Sequence, residues 1–256
     1  LSDDSKNIIL IPYVFQICMM QDINFDTITE LGKLYDIIFD KDRGKFLQTP
    51  YNSKERNTPS NRYSFIDTIS KLSFRCIGSN ENSIPVHIID TLSNTYKEKI
   101  TTEFLLYRKD QNNYAFIHES IPQYFVARSM VEKFEYYISA DIWNEPEKLM
   151  KNIVDFTEVI PYTIFDYVEY FSRSNKRSIK LDAIKLLKLF LSNFMNIKME
   201  FNSNLKEIQN YYYTKFVNIT RLVFAFLKTS LLPFSKYEFF NALSKEELEN
   251  FIFLTN

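Results

Sequence analysis

Glycine is scarce in this sequence: only three glycines and eight prolines occur among 256 residues, against 24 phenylalanines and 17 tyrosines. An α/β fold uses glycine at many of its turns, whereas long helices joined by short loops need little glycine and can bury many aromatic rings. The composition therefore predicts a mainly α fold. With 45% hydrophobic and 25% charged residues, the chain can bury one large core or two smaller ones.

The charge balance and the cysteines limit the partners and the compartment. A net charge of −1 and a pI of about 6.3 give no global field that would attract nucleic acid or anionic lipid. Cys18 and Cys76 lie in apolar surroundings without a metal or redox motif, so we expect buried thiols and a cytoplasmic protein. The most apolar stretch, Ile8–Met20, is too short to span a bilayer and contains Pro12 and Gln16, so we expect no membrane partner.

After a helix that starts at Pro12 and runs to about Met20, the spacing of the apolar side chains predicts three helices, over Thr27–Asp40, Tyr63–Ile77 and Pro85–Lys99. Gly78 is well placed to end the second of them. Between the first two of these three helices, Lys41–Asn61 is polar and contains two prolines, which indicates a linker.

A β-hairpin is predicted next. Its two strands are predicted over Phe104–Arg108 and Tyr114–His118, and the polar residues between them, Asp110–Asn113, are predicted to form the turn. Helix, helix and hairpin occur here in the order of a winged-helix domain.

The hairpin leads at once into another predicted helix, which runs from Ser120 to about Ile138. Ser120 and Gln123 have the spacing of a capping box, in which each side chain would bond to a backbone amide of the other residue. His118 then lies at a strand-to-helix corner, near amides that favour negative charge. We therefore expect this corner to suit a phosphate group.

The C-terminal part of the chain reads as purely helical. Breaks rich in Pro, Ser and Asn separate predicted helices near 147–158, 162–173, 178–196, 204–229 and 236–253. The segment Lys176–Phe194 carries apolar residues on nearly every side of a helical wheel, which indicates a buried helix and not a membrane-surface helix.

The corner also carries a family resemblance. The residues that carry it are His118, Ser120, Ile121 and Tyr124–Ala127. They resemble a segment with the pattern His-x-Ser-hydrophobic-x-acidic-Tyr/Phe-aliphatic-Ala. This segment closes the winged-helix domain of STAND-type signalling NTPases, especially the NACHT group. Two positions depart from that pattern. Gln123 stands where an acidic residue is usual, and Pro122 stands where a polar helix former is usual.

Two further segments are similar to the same family. Leu34-Tyr35-x-x-x-Phe39 is similar to its Leu-Tyr-x-x-x-aromatic helix, and Pro12 matches a proline near the end of its first helical domain. The resemblance implies a C-terminal part of a helical subdomain at 1–45, a winged-helix domain at 62–140 and a helical domain at 145–256. The expected fold is therefore mainly α, with a winged-helix subdomain that has one β-hairpin, followed by an all-α domain.

The resemblance also implies a ligand. In such a protein His118 would donate to the β-phosphate of ADP, and Pro12 would touch the adenine. The chain contains no G-x-x-x-x-G-K-[ST] motif, so ADP or ATP with Mg²⁺ would be held by an NTPase domain that precedes Leu1. The implied role is regulatory, in signalling such as immune or antiviral defence, with protein partners and a homo-oligomer on activation. We expect neither a catalytic residue nor a metal site in this chain, because His87 and His118 lack neighbours at metal-ligand spacing.

Two other functions are compatible with these residues. The chain could be a helical interaction scaffold in which His118 bonds a backbone carbonyl at the strand end. It could also be a DNA-binding winged helix, but the would-be recognition helix Pro85–Lys99 has basic residues only at Lys97 and Lys99. Nucleic acid is therefore an unlikely partner.

Overall fold

The computed structural model is mainly helical and contains one small antiparallel sheet, which confirms the predicted fold class. It divides into two compact units, the first ending at Phe125 and the second beginning at Val126. The structure describes residues 30–39, 59–78, 82–92, 94–102, 105–139, 160–173, 183–192, 205–228 and 241–255.

The described part of the first unit contains helices and a three-stranded sheet. Its elements in chain order are α1 Leu31–Phe39, α2 Pro59–Ile77, β1 Ile84–Pro85, α3 Val86–Asp90, α4 Asn94–Thr102, β2 Leu106–Arg108, β3 Asn113–Phe116 and the start of α5 Ser120–Ser139. From α2 onwards, the described elements occur in the order helix, strand, two helices and hairpin.

The sheet has the strand order β1-β3-β2, with both pairs antiparallel. Leu106 pairs with Phe116, and Arg108 pairs with Tyr114, so the predicted hairpin is confirmed with shorter strands. Its turn is closed by the Lys109 amide, which donates to the Asn113 carbonyl oxygen at 2.9 Å.

The predicted helix over Pro85–Lys99 is wrong as a single element. Ile84 and Pro85 form a short strand at the edge of the sheet, where proline is tolerated. The helix that follows ends at Asp90. The Thr91 hydroxyl donates back to the Ile88 carbonyl at 2.7 Å, and the Leu92 amide donates to the carbonyl three residues back, that of Ile89, at 3.1 Å, instead of four residues back as in an α-helix. The second helix, α4, then starts at Asn94.

Helix α2 also begins earlier than expected. Pro59 is its first residue, a position where the missing amide costs no helical hydrogen bond, so the predicted linker loses its last three residues to the helix. The helix ends at Ile77, and Gly78 follows it as predicted, with its amide donating to the Phe74 carbonyl at 2.9 Å.

Among the described residues, the second unit contains the rest of α5 and four further helices. They are α6 Tyr162–Arg173, α7 at 183–192, α8 Leu205–Lys228 and α9 Lys245–Thr255. Helices α6 and α8 match the predicted segments closely. The described part of the basic segment, α7, buries Ala183, Ile184, Leu186, Leu187, Phe190 and Leu191, which confirms that it faces protein.

The last predicted helix is interrupted. Residues 241–242 are helical, but Leu243 and Ser244 break the helix before α9 starts at Lys245. The Glu247 amide donates to Ser244 Oγ at 3.2 Å, and the Ser244 amide donates to Glu247 Oε2 at 2.7 Å, which forms a reciprocal capping box.

Some predictions lie outside the described residues: the helix near 147–158, the segment 8–20 and most of the linker predicted over 41–61. The domain limits at 45, 62, 140 and 145 therefore stay a prediction. Within the described ranges, no helix is both long and apolar enough to cross a bilayer.

Candidate functional site

The candidate site is the corner where β3 leads into α5, formed by residues 118–123 and called here the His118 corner. The Ile117 amide donates to the Leu105 carbonyl at 3.0 Å, just before the chain turns. The Ile121 amide then donates to the His118 carbonyl at 3.2 Å. His118 is thus held between the sheet and the first turn of α5, and its side chain is half-buried.

A chain of hydrogen bonds leads from His118 into the core. His118 Nδ1 lies 3.2 Å from the Ser120 amide nitrogen and 2.5 Å from Ser120 Oγ. Ser120 Oγ lies in turn 2.6 Å from the Tyr35 hydroxyl oxygen, although the two residues are 85 positions apart. Tyr35 is fully buried and Ser120 is 6% exposed, so bulk water has almost no access to the hydrogen bond between their hydroxyl groups.

Four buried aromatic rings hold α1 against the start of α5. Phe39 and Phe125 have ring centroids 4.9 Å apart, and Tyr35 and Tyr124 have centroids 5.2 Å apart. The Tyr124 hydroxyl donates to Asp36 Oδ1 at 2.7 Å, which adds a second polar bond between the two helices. Helix α1 is therefore fixed to the His118 corner by apolar packing and by two hydrogen bonds.

The predicted capping box at Ser120 is wrong. The Ser120 hydroxyl is engaged by His118 and Tyr35, and the Gln123 amide donates to the Glu119 carbonyl at 3.5 Å. The side-chain partner from α1 takes the oxygen that would otherwise cap the helix. No feature of the local sequence indicates that competitor.

The backbone amides at the start of α5 are already used. The Ser120 amide donates to His118 Nδ1, the Ile121 amide donates to the His118 carbonyl, and Pro122 has no amide hydrogen. The amides of Ser120 and Ile121 therefore have hydrogen-bond partners within the chain.

The other sequence candidates are separate from the corner. Pro12 lies outside the described residues, and His87 is exposed on α3. Among the described residues, no group of three or more His, Cys, Asp or Glu side chains could hold a metal ion. Asp36, which the sequence did not single out, joins the site through Tyr124.

The basic side chain of α4 that the structure describes, Lys97, is paired with a carboxylate. Lys97 makes a short hydrogen-bonded ion pair with Asp90, which raises the pKa of Lys97, and Glu98 is exposed beside it. At the hairpin turn, the Asn112 amide donates to Asp110 Oδ1 at 2.7 Å and lowers the pKa of that carboxyl. These pairings are unfavourable for phosphate-backbone contacts on DNA, which need exposed Lys and Arg.

Comparisons with known proteins do not identify the chain. No protein-family model, curated protein or solved structure matches it.

Proposed function

We propose that this chain is the nucleotide-sensing, autoinhibitory part of a STAND-type signalling ATPase of the NACHT group. One observation supports this most directly. The two segments that resemble the family, Leu34–Phe39 and His118–Ala127, contact each other through the Tyr35–Ser120 and Tyr124–Asp36 hydrogen bonds. Residues selected separately by sequence thus form one buried cluster around the histidine that the resemblance assigns to ADP.

In the proposed inactive state, His118 donates a hydrogen bond to the β-phosphate of ADP, and Pro12 contacts the adenine. The nucleotide and Mg²⁺ are held mainly by a P-loop domain encoded before Leu1. Exchange of ADP for ATP releases the winged helix and permits homo-oligomerisation. Such a switch requires ADP to bind the inactive state more tightly than the active state, because a ligand with equal affinity for both shifts nothing.

The first test is to sequence the reading frame upstream of Leu1. The proposal requires a Walker A motif and an acidic Walker B strand within roughly 150 to 250 residues, the span of one domain. The protein expressed from that whole frame should then contain bound ADP, released on denaturation and quantified by chromatography.

A matched pair of variants tests the role of His118. His118→Ala should lose ADP faster than the wild type, whereas His87→Ala should retain it, because His87 is exposed on α3. Equal ADP retention in His118→Ala and the wild type would remove His118 from the nucleotide site.

A second candidate function is a helical interaction scaffold without nucleotide. It is favoured by the internal bonding of the corner, where Nδ1 of His118 and the first amides of α5 have partners within the protein. In that case the expressed protein contains no ADP, and added ADP leaves its thermal stability unchanged. Partners would then be sought among proteins.

A further inference from the structure

We propose that Tyr35 and Ser120 are positioning residues, which fix His118 in the tautomer that carries its proton on Nε2. This makes the imidazole a hydrogen-bond donor at Nε2. The assignment of the tautomer stands on the structure's hydrogen bonds alone, whereas its use toward a phosphate oxygen rests on the proposed function.

The order of the protons follows from the partners of Nδ1. The Ser120 backbone N–H can only donate, and it lies 3.2 Å from Nδ1, so Nδ1 must present a lone pair. The Ser120 hydroxyl, 2.5 Å from the same nitrogen, must then donate as well, because two lone pairs would repel at that distance. In a neutral imidazole whose Nδ1 accepts, the proton is on Nε2.

The Tyr35 hydroxyl completes the arrangement. Since Ser120 uses its only hydroxyl hydrogen on Nδ1, its oxygen is an acceptor for the Tyr35 hydroxyl at 2.6 Å. The hydrogen bonds therefore run in one direction, from Tyr35 to Ser120 to His118. Tyr35 is fully buried, so water cannot easily replace its hydroxyl if it is removed.

The direction of these hydrogen bonds determines whether Nε2 of His118 attracts or repels an anionic ligand. Phosphate oxygens are acceptors, so an Nε2–H attracts them, whereas the other tautomer would present a lone pair at Nε2 and repel them. A histidine held in one tautomer also avoids the cost of switching before it binds. The hydrogen bonds from Tyr35 through Ser120 to His118 thereby extend the site from the His118 corner into α1.

The tautomer can be measured in the 256-residue chain without nucleotide. Histidine labelled with ¹⁵N gives long-range ¹H–¹⁵N correlations that distinguish a protonated nitrogen from a bare one. The chain has only two histidines, so exposed His87 serves as the reference in the same spectrum. At alkaline pH, where a free imidazole is neutral, His118 should show a bare Nδ1 and a protonated Nε2.

Variants then separate positioning from general stability. Ser120→Ala removes the hydroxyl donor but keeps the backbone amide of residue 120, so it should weaken the preference for a bare Nδ1 without abolishing it. Ser120→Thr should restore the wild-type spectrum, and Tyr35→Phe should have a smaller effect than Ser120→Ala while keeping the buried ring. Tyr124→Phe is the matched control, because it removes a neighbouring buried hydroxyl that bonds Asp36 and not Ser120. A protonated Nδ1 in the wild type, or the same shift in Tyr124→Phe as in Tyr35→Phe, would overturn the inference.

A nucleotide measurement distinguishes this inference from the proposed function. In the protein expressed with its upstream domain, Ser120→Ala should release ADP about tenfold faster, the order expected for weakening one hydrogen bond to a charged group. A fixed tautomer in a protein that contains no ADP would leave the positioning role intact and refute the nucleotide role. Bound ADP whose release is insensitive to Ser120→Ala would refute the positioning role at the phosphate.

Discussion

A serine hydroxyl at a helix start can bond the amides of the first turn or a nearby side chain, and this protein uses both options. Ser244 is exposed, and its hydroxyl accepts the Glu247 amide at 3.2 Å. Ser120 is buried, and its hydroxyl is held by His118 and Tyr35. At the residue scale, the buried partner outcompetes the backbone, because an unpaired tyrosine hydroxyl in the core would cost about 1–3 kcal/mol.

Ser244 provides a direct test of the cap. Ser244→Ala should lower the free energy of unfolding by about 1 kcal/mol, since the Glu247 amide at the start of α9 loses the Ser244 Oγ that accepts its hydrogen bond. Urea denaturation measures the loss. Ser244→Asn is the control, because asparagine caps helices as well as serine does and should keep nearly full stability. If the Asn variant loses as much as the Ala variant, capping is not the cause.

Cys76 should make the free energy of unfolding depend on pH. It lies in α2 and is 3% exposed, and burial raises the pKa of its thiol to about 11, against weaker lowering by the Phe116 amide and by Lys109. The unfolded chain ionises this thiol near pH 9.0, while the folded chain keeps it protonated. The protonated thiol therefore makes its full contribution to the free energy of unfolding below pH 9. About 2–3 kcal/mol of that free energy is lost as the pH rises toward 11.

The measurement compares the wild type with Cys76→Ala by urea denaturation at about pH 8 and pH 10.5. Between the two pH values, the free energy of unfolding of the wild type should fall by more than that of Cys76→Ala. The other titrating groups are present in both proteins, so their effects cancel in this comparison. A difference that does not change with pH would contradict a buried, protonated thiol.

Among the helices and strands, the sequence predicted those with a clear apolar period. Helices α1 and α6 lie where their spacing indicates, because the buried residues of each recur at helical spacing. Helix α8 also lies in its predicted segment. β1 has two residues and therefore no period to detect, and the break after α3 depends on the Thr91 hydroxyl bonding back to Ile88. Local competition of this kind is not encoded in apolar spacing.

The candidate site shows the same division. His118 and the aromatic positions of α1 could be found from local sequence patterns. The contacts between them could not, because Tyr35 and Ser120 are 85 residues apart and Asp36 and Tyr124 are 88 residues apart. Pairing between such distant segments is decided by tertiary packing, for which a single sequence carries no direct signal.

Packing in the second unit predicts a large effect at one phenylalanine of α8. The rings of Phe134 and Phe226 stack with centroids 4.6 Å apart, and Phe226 is 1% exposed. Phe226→Ala should lower the free energy of unfolding by about 3–5 kcal/mol, because it removes buried apolar area and leaves a cavity. Phe224→Ala, two residues away on the same helix and 43% exposed, should cost much less. Chemical denaturation of the three proteins compares them, and similar losses would show that the stack is not a main contact.

At the scale of the whole molecule, the proposed switch sets a limit on what one histidine can do. Moving a two-state protein from 1:99 to 99:1 requires a difference in affinity of about 10⁴-fold. One hydrogen bond to a charged phosphate contributes roughly tenfold to a hundredfold. Under the proposed function, His118 therefore supplies only part of the preference of ADP for the inactive state, and the adenine and phosphate contacts elsewhere must supply the rest.

This limit predicts a graded phenotype for His118→Ala in the protein expressed with its upstream domain. If the active form is about 1% of the ADP-bound wild type, loss of the His118 bond should raise it to between about 10% and 50%, and not to completion. Mass photometry at fixed protein concentration counts monomers and oligomers with ADP or ATP present. The ADP-bound variant should show a mixture, and adding ATP should increase the oligomer further. A variant that is fully oligomeric in ADP would place the whole switch on His118, and one that remains as monomeric as the wild type would remove His118 from it.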